Sequence, residues 1–126
     1  MGRYGINWGE SEDDLTEKDY DIIFTETNKI ISEKNLETRE IAIAYYSRGI
    51  IFRRRNDLKN AISDYTSAIE LQNDYEPAWY NRGGIFYDLK LYDRALADFN
   101  QALKLKPTDE DIQKWISFLK KILEKN

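Results

Sequence analysis

The sequence predicts an all-α protein, an array of about six helices following one another along the chain. Three observations predict it. Apolar residues recur three and four positions apart in residues 16–34 and again in residues 109–125, the spacing that gathers them on one helix face. Residues 42–75 align with residues 76–109 at a fixed period of 34. Tyr45 falls on Trp79, Tyr46 on Tyr80, Arg48 on Arg82, Gly49 on Gly83, Phe52 on Phe86, Ala61 on Ala95, Asp64 on Asp98, Tyr65 on Phe99, Ala68 on Ala102 and Leu71 on Leu105. A period between about 20 and 50 residues marks repeated helical or mixed units that bury their apolar faces against neighbours. The only two prolines, Pro77 and Pro107, stand where one such unit opens and where it closes.

Each element has its own signal. Residues 1–15 combine Gly2, Gly5 and Gly9 with Glu10, Glu12, Asp13 and Asp14, and glycine with clustered like charge disfavours regular structure. Tyr4, Ile6 and Trp8 are unusual in a solvated tail and are expected to dock on the domain or to serve a partner. The first helix is expected over residues 16–34. Thr16 followed by Asp19 approximates a capping box, and Tyr20, Ile23, Phe24, Thr27, Ile30 and Ile31 form its stripe. Asp19-Tyr20-Asp21 echoes Leu91-Tyr92-Asp93, so this element reads as the second helix of a degenerate first repeat. Helix two is expected over residues 38–54 and helix three over 57–71, with Asn56 or Asp57 as the cap. Pro77 suits the first turn of helix four, where no backbone donor is needed, and that helix ends near Leu89. Helix five runs from about Tyr92 to Lys104. Thr108 is expected to cap helix six, residues 109–125, whose Ile112, Trp115, Ile116, Leu119, Ile122 and Leu123 share one face. Acid at its start and lysine at its end suit the helix dipole.

Two repeated features call for a tertiary cause. Gly49 and Gly83 fall mid-helix, where glycine costs about 1 kcal/mol against alanine. A cost that recurs at the same period implies close helix approach there, with Ala61, Ala68, Ala95 and Ala102 as small partners. Arg48 and Arg82 carry charge into the same region and must be paired or reach water. Asp64 and Asp98 recur in step with them, so an Arg–Asp pair between helices is expected in each repeat.

These residues resemble the tetratricopeptide repeat, a 34-residue helix–turn–helix unit whose motif runs W-x2-L-G-x2-Y, then A-x3-F, then P. The second unit reads Trp79, Arg82, Gly83, Phe86, Ala95, Phe99, Ala102 and Pro107; the first reads Tyr45, Arg48, Gly49, Phe52, Ala61, Tyr65, Ala68 and Asn73. Arg replaces the motif's Leu in both, and Asn73 replaces the closing Pro in the first. The resemblance implies a short right-handed α–α superhelix within a single domain at residues 16–126: a half repeat, two full repeats and a C-terminal capping helix. It also implies a concave groove, lined by the first helix of each repeat, that takes a peptide or helix of another protein. The implied partner-binding residues are Tyr46, Ile50, Arg53 and Arg54 on helix two, Tyr80, Asn81, Gly84, Tyr87 and Asp88 on helix four, and Lys114 and Lys121 on helix six. Tyr46, Tyr80 and Tyr87 are expected to lie off the helix-pairing face, and Arg and Tyr are enriched at interface hot spots. The basic members suit an acidic partner segment. Some members of the family grip chaperone C-termini with a Lys/Asn/Arg clamp. Here the leading Lys and Asn slots hold Tyr46 and Ile50 and only Asn81 matches, so that ligand is not expected.

Composition narrows the function further. The chain has no histidine and no cysteine, which excludes zinc–thiolate sites, Cys nucleophiles and His acid–base chemistry. Its carboxylates stand with no nucleophile, Gly-rich loop or metal-ligand spacing, so no enzyme, metal or cofactor is expected. No apolar run approaches the roughly 20 residues that span a bilayer, and the acidic N-terminus lacks signal features, so a cytoplasmic location is expected. Residues 1–40 hold 5 Lys/Arg against 11 Asp/Glu, while residues 41–126 hold 14 against 12. Arg53-Arg54-Arg55 is too small a basic footprint for nucleic acid on a chain of pI ≈ 5.0. The expectation is therefore a protein-interaction module. The rival readings are a self-associating structural subunit and a small inhibitory or immunity-type binder of another protein.

Overall fold

Six α-helices follow in order in the computed structural model: α1 (Glu17–Glu33), α2 (Thr38–Arg54), α3 (Leu58–Leu71), α4 (Glu76–Asp88), α5 (Tyr92–Leu105) and α6 (Glu110–Glu124). The structure describes residues 15–33 and 36–125, among which there is no strand. The expectations placed on Tyr4, Ile6, Trp8 and the acidic run through Asp14 lie outside the described residues.

Helix starts follow local chemistry. The Asp19 N–H donates to Thr16 Oγ1 at 3.2 Å, and the Thr16 N–H donates to Asp19 Oδ2 at 2.8 Å, a reciprocal box that satisfies two otherwise orphaned donors. The same Thr16 N–H holds the Asp19 carboxyl below its ordinary value. Asp57 caps α3 by accepting from the Asn60 N–H, and Pro77 lies in the first turn of α4. The cap of α6 is Asp109, whose carboxylate accepts from the Ile112 N–H at 3.0 Å, one residue beyond the expected Thr108. A carboxylate there also meets the positive end of the helix dipole, which a hydroxyl does not.

The repeat extends to backbone geometry that its side chains do not announce. Asn56 and Lys90, one period apart, both turn the chain through the left-handed region, at φ of 59° and 62°. At each corner a backbone bond closes the turn, Asp57 N–H to Phe52 O and Leu91 N–H to Phe86 O, both at 2.8 Å.

Two compact units divide the chain between Asn73 and Asp74. In the first, α2 packs on both α1 and α3, burying Tyr20, Ala42, Ile51, Ala61, Tyr65 and Ala68. In the second, α5 packs on both α4 and α6, burying Ala78, Ile85, Ala95, Phe99, Ala102, Ile112 and Leu119.

The glycines do what their recurrence implies, to different degrees. A Cβ on Gly49 would stand 2.7 Å from Tyr65 Cε1 and 3.3 Å from Asp64 Cβ; one on Gly83 would stand 3.2 Å from the Phe99 ring and 3.3 Å from Asp98 Cβ. Tyr65 is fully buried and has nowhere to retreat. Overpacking of this kind costs about 1–3 kcal/mol, against about 1 kcal/mol returned by alanine's helix propensity. Gly49→Ala is therefore expected to lower the unfolding free energy by about 1–2 kcal/mol and Gly83→Ala to leave it nearly unchanged, as read from urea denaturation. Equal effects would show that the two approaches are not different.

The Arg–Asp pairs form in both repeats. Arg48 Nε and Nη2 donate to the two oxygens of Asp64, each at 2.7 Å, and Arg82 Nε and Nη2 donate to Asp98 at 2.8 Å. Each guanidinium also lies beside aromatic rings, Arg48 by Tyr45 and Phe52 and Arg82 by Trp79 and Phe86. Arg48 makes one more bond, to Asn28 of α1 at 2.8 Å. Its hydrogen bonds to Asp64 hold the guanidinium above its ordinary pKa, whereas burial pushes the Asp98 carboxyl up against the pull of Arg82.

Tyr65 and Phe99 occupy equivalent slots, and among the described residues no group bonds the buried Tyr65 hydroxyl. Burial drives that hydroxyl well above its ordinary pKa. A buried hydroxyl without a protein partner contributes nothing that an apolar ring edge lacks. Tyr65→Phe is expected to leave the melting temperature unchanged or to raise it; a fall of several degrees would give the hydroxyl a bonding role.

Candidate partner-binding surface

The residues expected to meet a partner divide into buried and exposed groups. In the first unit Tyr46 is buried, its ring 5.7 Å from that of Tyr65, while Ile50 and Arg53 are half-buried on α2. The Arg54 guanidinium lies 4.3 Å over the Tyr20 ring, and Arg55 donates to Asp21 at 2.6 Å with Glu17 at 3.7 Å. The basic run therefore fastens α1 to the C-terminal end of α2, and Arg54 is drawn into that contact rather than left facing solvent.

In the second unit the structure corrects three of the expectations. Tyr80 is 1% exposed: its ring meets Phe99 edge-on at 5.5 Å, and its hydroxyl oxygen accepts from Trp115 Nε1 at 3.2 Å. Asn81 is buried and its amide donates to the Pro77 carbonyl at 2.9 Å, turning the one clamp-like side chain back onto its own helix. Gly84 is buried as well. These positions, like Tyr46, fill the interior instead of presenting side chains outward.

What stays outside gathers on α6 and the end of α4. Tyr87 is half-buried, Asp88 exposed, and Lys114 and Lys121 exposed. Between the two lysines lies Phe118, 44% exposed, with its ring 5.8 Å from Tyr87 and 6.2 Å from Trp115. Trp115 is fixed beneath: it stacks on Phe99 at 5.1 Å and 8°, and Tyr87 meets it edge-on at 4.9 Å. Glu110, Gln113, Lys114, Ser117, Phe118 and Lys121 border a shallow concavity of about 450 Å³ along this face. Three expected residues, Tyr87, Lys114 and Lys121, thus come together around a fourth that the sequence reading passed over. The signal for it was present: Phe118 follows Lys114 by four positions and precedes Lys121 by three, which puts all three on one helix face.

Among the described residues no group of three or more acidic side chains could hold a metal ion, and no helix is long and apolar enough to cross a membrane.

The family model described as "Tetratricopeptide repeat" matches residues 77–109, and a second, described as "TPR repeat", matches residues 49–90. No curated protein matches the sequence. Among solved structures, the chain is similar to the first TPR of Spaghetti (RPAP3) bound to the HSP90 peptide SRMEEVD, at 19% identity over 86% of this chain and 85% of that one, with a TM-score of 0.74. It is similar to the Arabidopsis OM64 TPR domain at 24% identity, covering 83% and 84% of the two chains, with a TM-score of 0.71. It is also similar to the second TPR domain of human RPAP3 in complex with the HSP70 peptide SGPTIEEVD, at 23% identity, 82% and 83% coverage and a TM-score of 0.69. At these identities the likeness is one of fold.

Proposed function

We propose, from the premise that this chain is a tetratricopeptide-repeat protein with an all-α helical array, that it works as a protein-interaction module taking a peptide or helix of a partner protein. The observation that carries the reading is Phe118, a large aromatic side chain left 44% exposed on a rigid aromatic base and bracketed by two lysines. Exposed aromatic groups rimmed by polar ones are the usual makings of an interaction site. In the first unit, Ile50 and Arg53 on α2 are the remaining candidates. Two of the similar structures hold short peptides of HSP90 and HSP70 that end in acidic residues, which accords with an acidic partner segment here. A chaperone C-terminus is not the ligand proposed, because Tyr46 and Asn81 are packed inside and Ile50 offers no polar group.

The test is capture of a partner from native cells by the tagged full chain, repeated with Tyr87→Ala and with Lys121→Glu. Wild type is expected to retain a partner above the tag control, and both variants to lose most of it. Absence of any such partner would sink the reading. Light scattering separates it from self-assembly, since a module of this kind is expected to run as a monomer.

A further inference from the structure

We infer that the α6 face centred on Phe118 reads an extended partner segment in which an apolar side chain lies midway between two carboxylates about four residues apart. This rests on the interaction-module reading and names the chemistry its ligand carries. Phe118 supplies the apolar contact. A lone exposed aromatic is ordinary, but this one is continuous with Tyr87 and lies over Trp115, so a ligand side chain seated on it meets a surface already held in place. Trp115 cannot easily turn away, since Phe99 stacks on it and its N–H donates to Tyr80.

The lysines supply the charge and its spacing. Lys114 lies four positions before Phe118 and Lys121 three after it, and both border the same concavity. Among the described residues neither enters an ion pair or a side-chain hydrogen bond, so both ammonium groups are available to a ligand. Seven residues of α-helix rise about 10.5 Å. In an extended segment alternate side chains share a face, so the first, third and fifth of five residues line up over roughly 13 Å, a span that the flexible lysine stems can match. A carboxylate at either end of such a stretch reaches one lysine each while the side chain between them covers Phe118. Glu110, one turn before Lys114, is the one acidic group on the concavity. It sets the limit of the site at that end, because a third carboxylate placed beyond Lys114 would meet like charge. A phosphate backbone would engage the same lysines without needing Phe118, and that difference is what the probes below separate.

The test titrates the isotope-labelled full chain, followed by its amide NMR spectrum, with acetylated and amidated Ser-Glu-Ser-Leu-Ser-Glu-Ser. Saturable shifts are expected at Tyr87 and from Lys114 to Lys121. Affinity is expected to fall at least tenfold for Phe118→Ala, for the double change Lys114→Glu with Lys121→Glu, for a probe with Leu replaced by Ser, and for one with both Glu replaced by Gln. A probe with its two Glu adjacent is expected to bind several-fold more weakly. Phe118, Lys114 and Lys121 are all exposed, so the variants are expected to keep the parent's amide dispersion. Shifts that survive Phe118→Ala, or an equal affinity for the Leu-less probe, would overturn the inference. So would a wild-type chain that captures a cellular partner yet shows no saturable shifts, and in that case the broader reading stands.

Discussion

Trp115→Ala should cost about 3–5 kcal/mol of unfolding free energy, a large share of what a protein of this size has. Trp115 belongs to α6 but its contacts tie three helices: it stacks on Phe99 of α5, meets Tyr87 of α4 edge-on and donates to the hydroxyl of Tyr80. Truncation removes all three at once and leaves a cavity beside Phe99 and Tyr87. Without that anchor the amphipathic α6 loses its hold on α5, and the apolar side of the last repeat meets water. Trp115→Phe keeps much of the stacking and loses the hydrogen bond, so about 1–2 kcal/mol is expected. Urea denaturation followed by far-ultraviolet circular dichroism measures both. A loss below about 1 kcal/mol for Trp115→Ala would mean that α6 stands without it.

Asp64→Asn is expected to be the next most costly change, at about 3 kcal/mol, with the melting point falling by roughly 10 °C or more. The substitution keeps shape and removes charge, leaving the Arg48 side chain, only 22% exposed, without its counter-ion. Arg48 also reaches Asn28, so its orientation by Asp64 matters to three helices of the first unit. Asp98→Asn should cost less. Burial already works against the ionised Asp98, so less of the pair's attraction is lost when its charge is removed. If neither change moves the melting point, the pairs are geometric bystanders.

Much of this architecture is legible in the sequence because its causes are local or repeat. Thr16 with Asp19, Asp57 and Pro77 mark helix starts through groups within a few residues of each other. The Arg–Asp pairs are legible because both members recur one period on. Thr108 against Asp109 is not legible, since either side chain can cap and only the path of the chain decides between them. The surface is harder to read for a different reason. Tyr80 reads as outward when only its own helix pair is considered, but Trp115, thirty-five positions later, covers it. Arg54 reads as a free cation until Tyr20, thirty-four positions earlier, comes beneath it. Phe118 falls outside the apolar stripe of helix six, and its neighbour Tyr87 comes from another helix, so the sequence does not single it out.

The stacking of Trp115 has a spectroscopic consequence. Its indole is shielded from water and bonded through its N–H, yet its ring is only 6.2 Å from Phe118, where a ligand would sit. Release of α6 would wet the indole and move its emission to longer wavelength, whereas a side chain seated on Phe118 would dry its surroundings further and move emission the other way. With Trp8 and Trp79, the other tryptophans of the chain, replaced by Phe, one intrinsic chromophore distinguishes an opening cap from an occupied surface by the sign of its colour change.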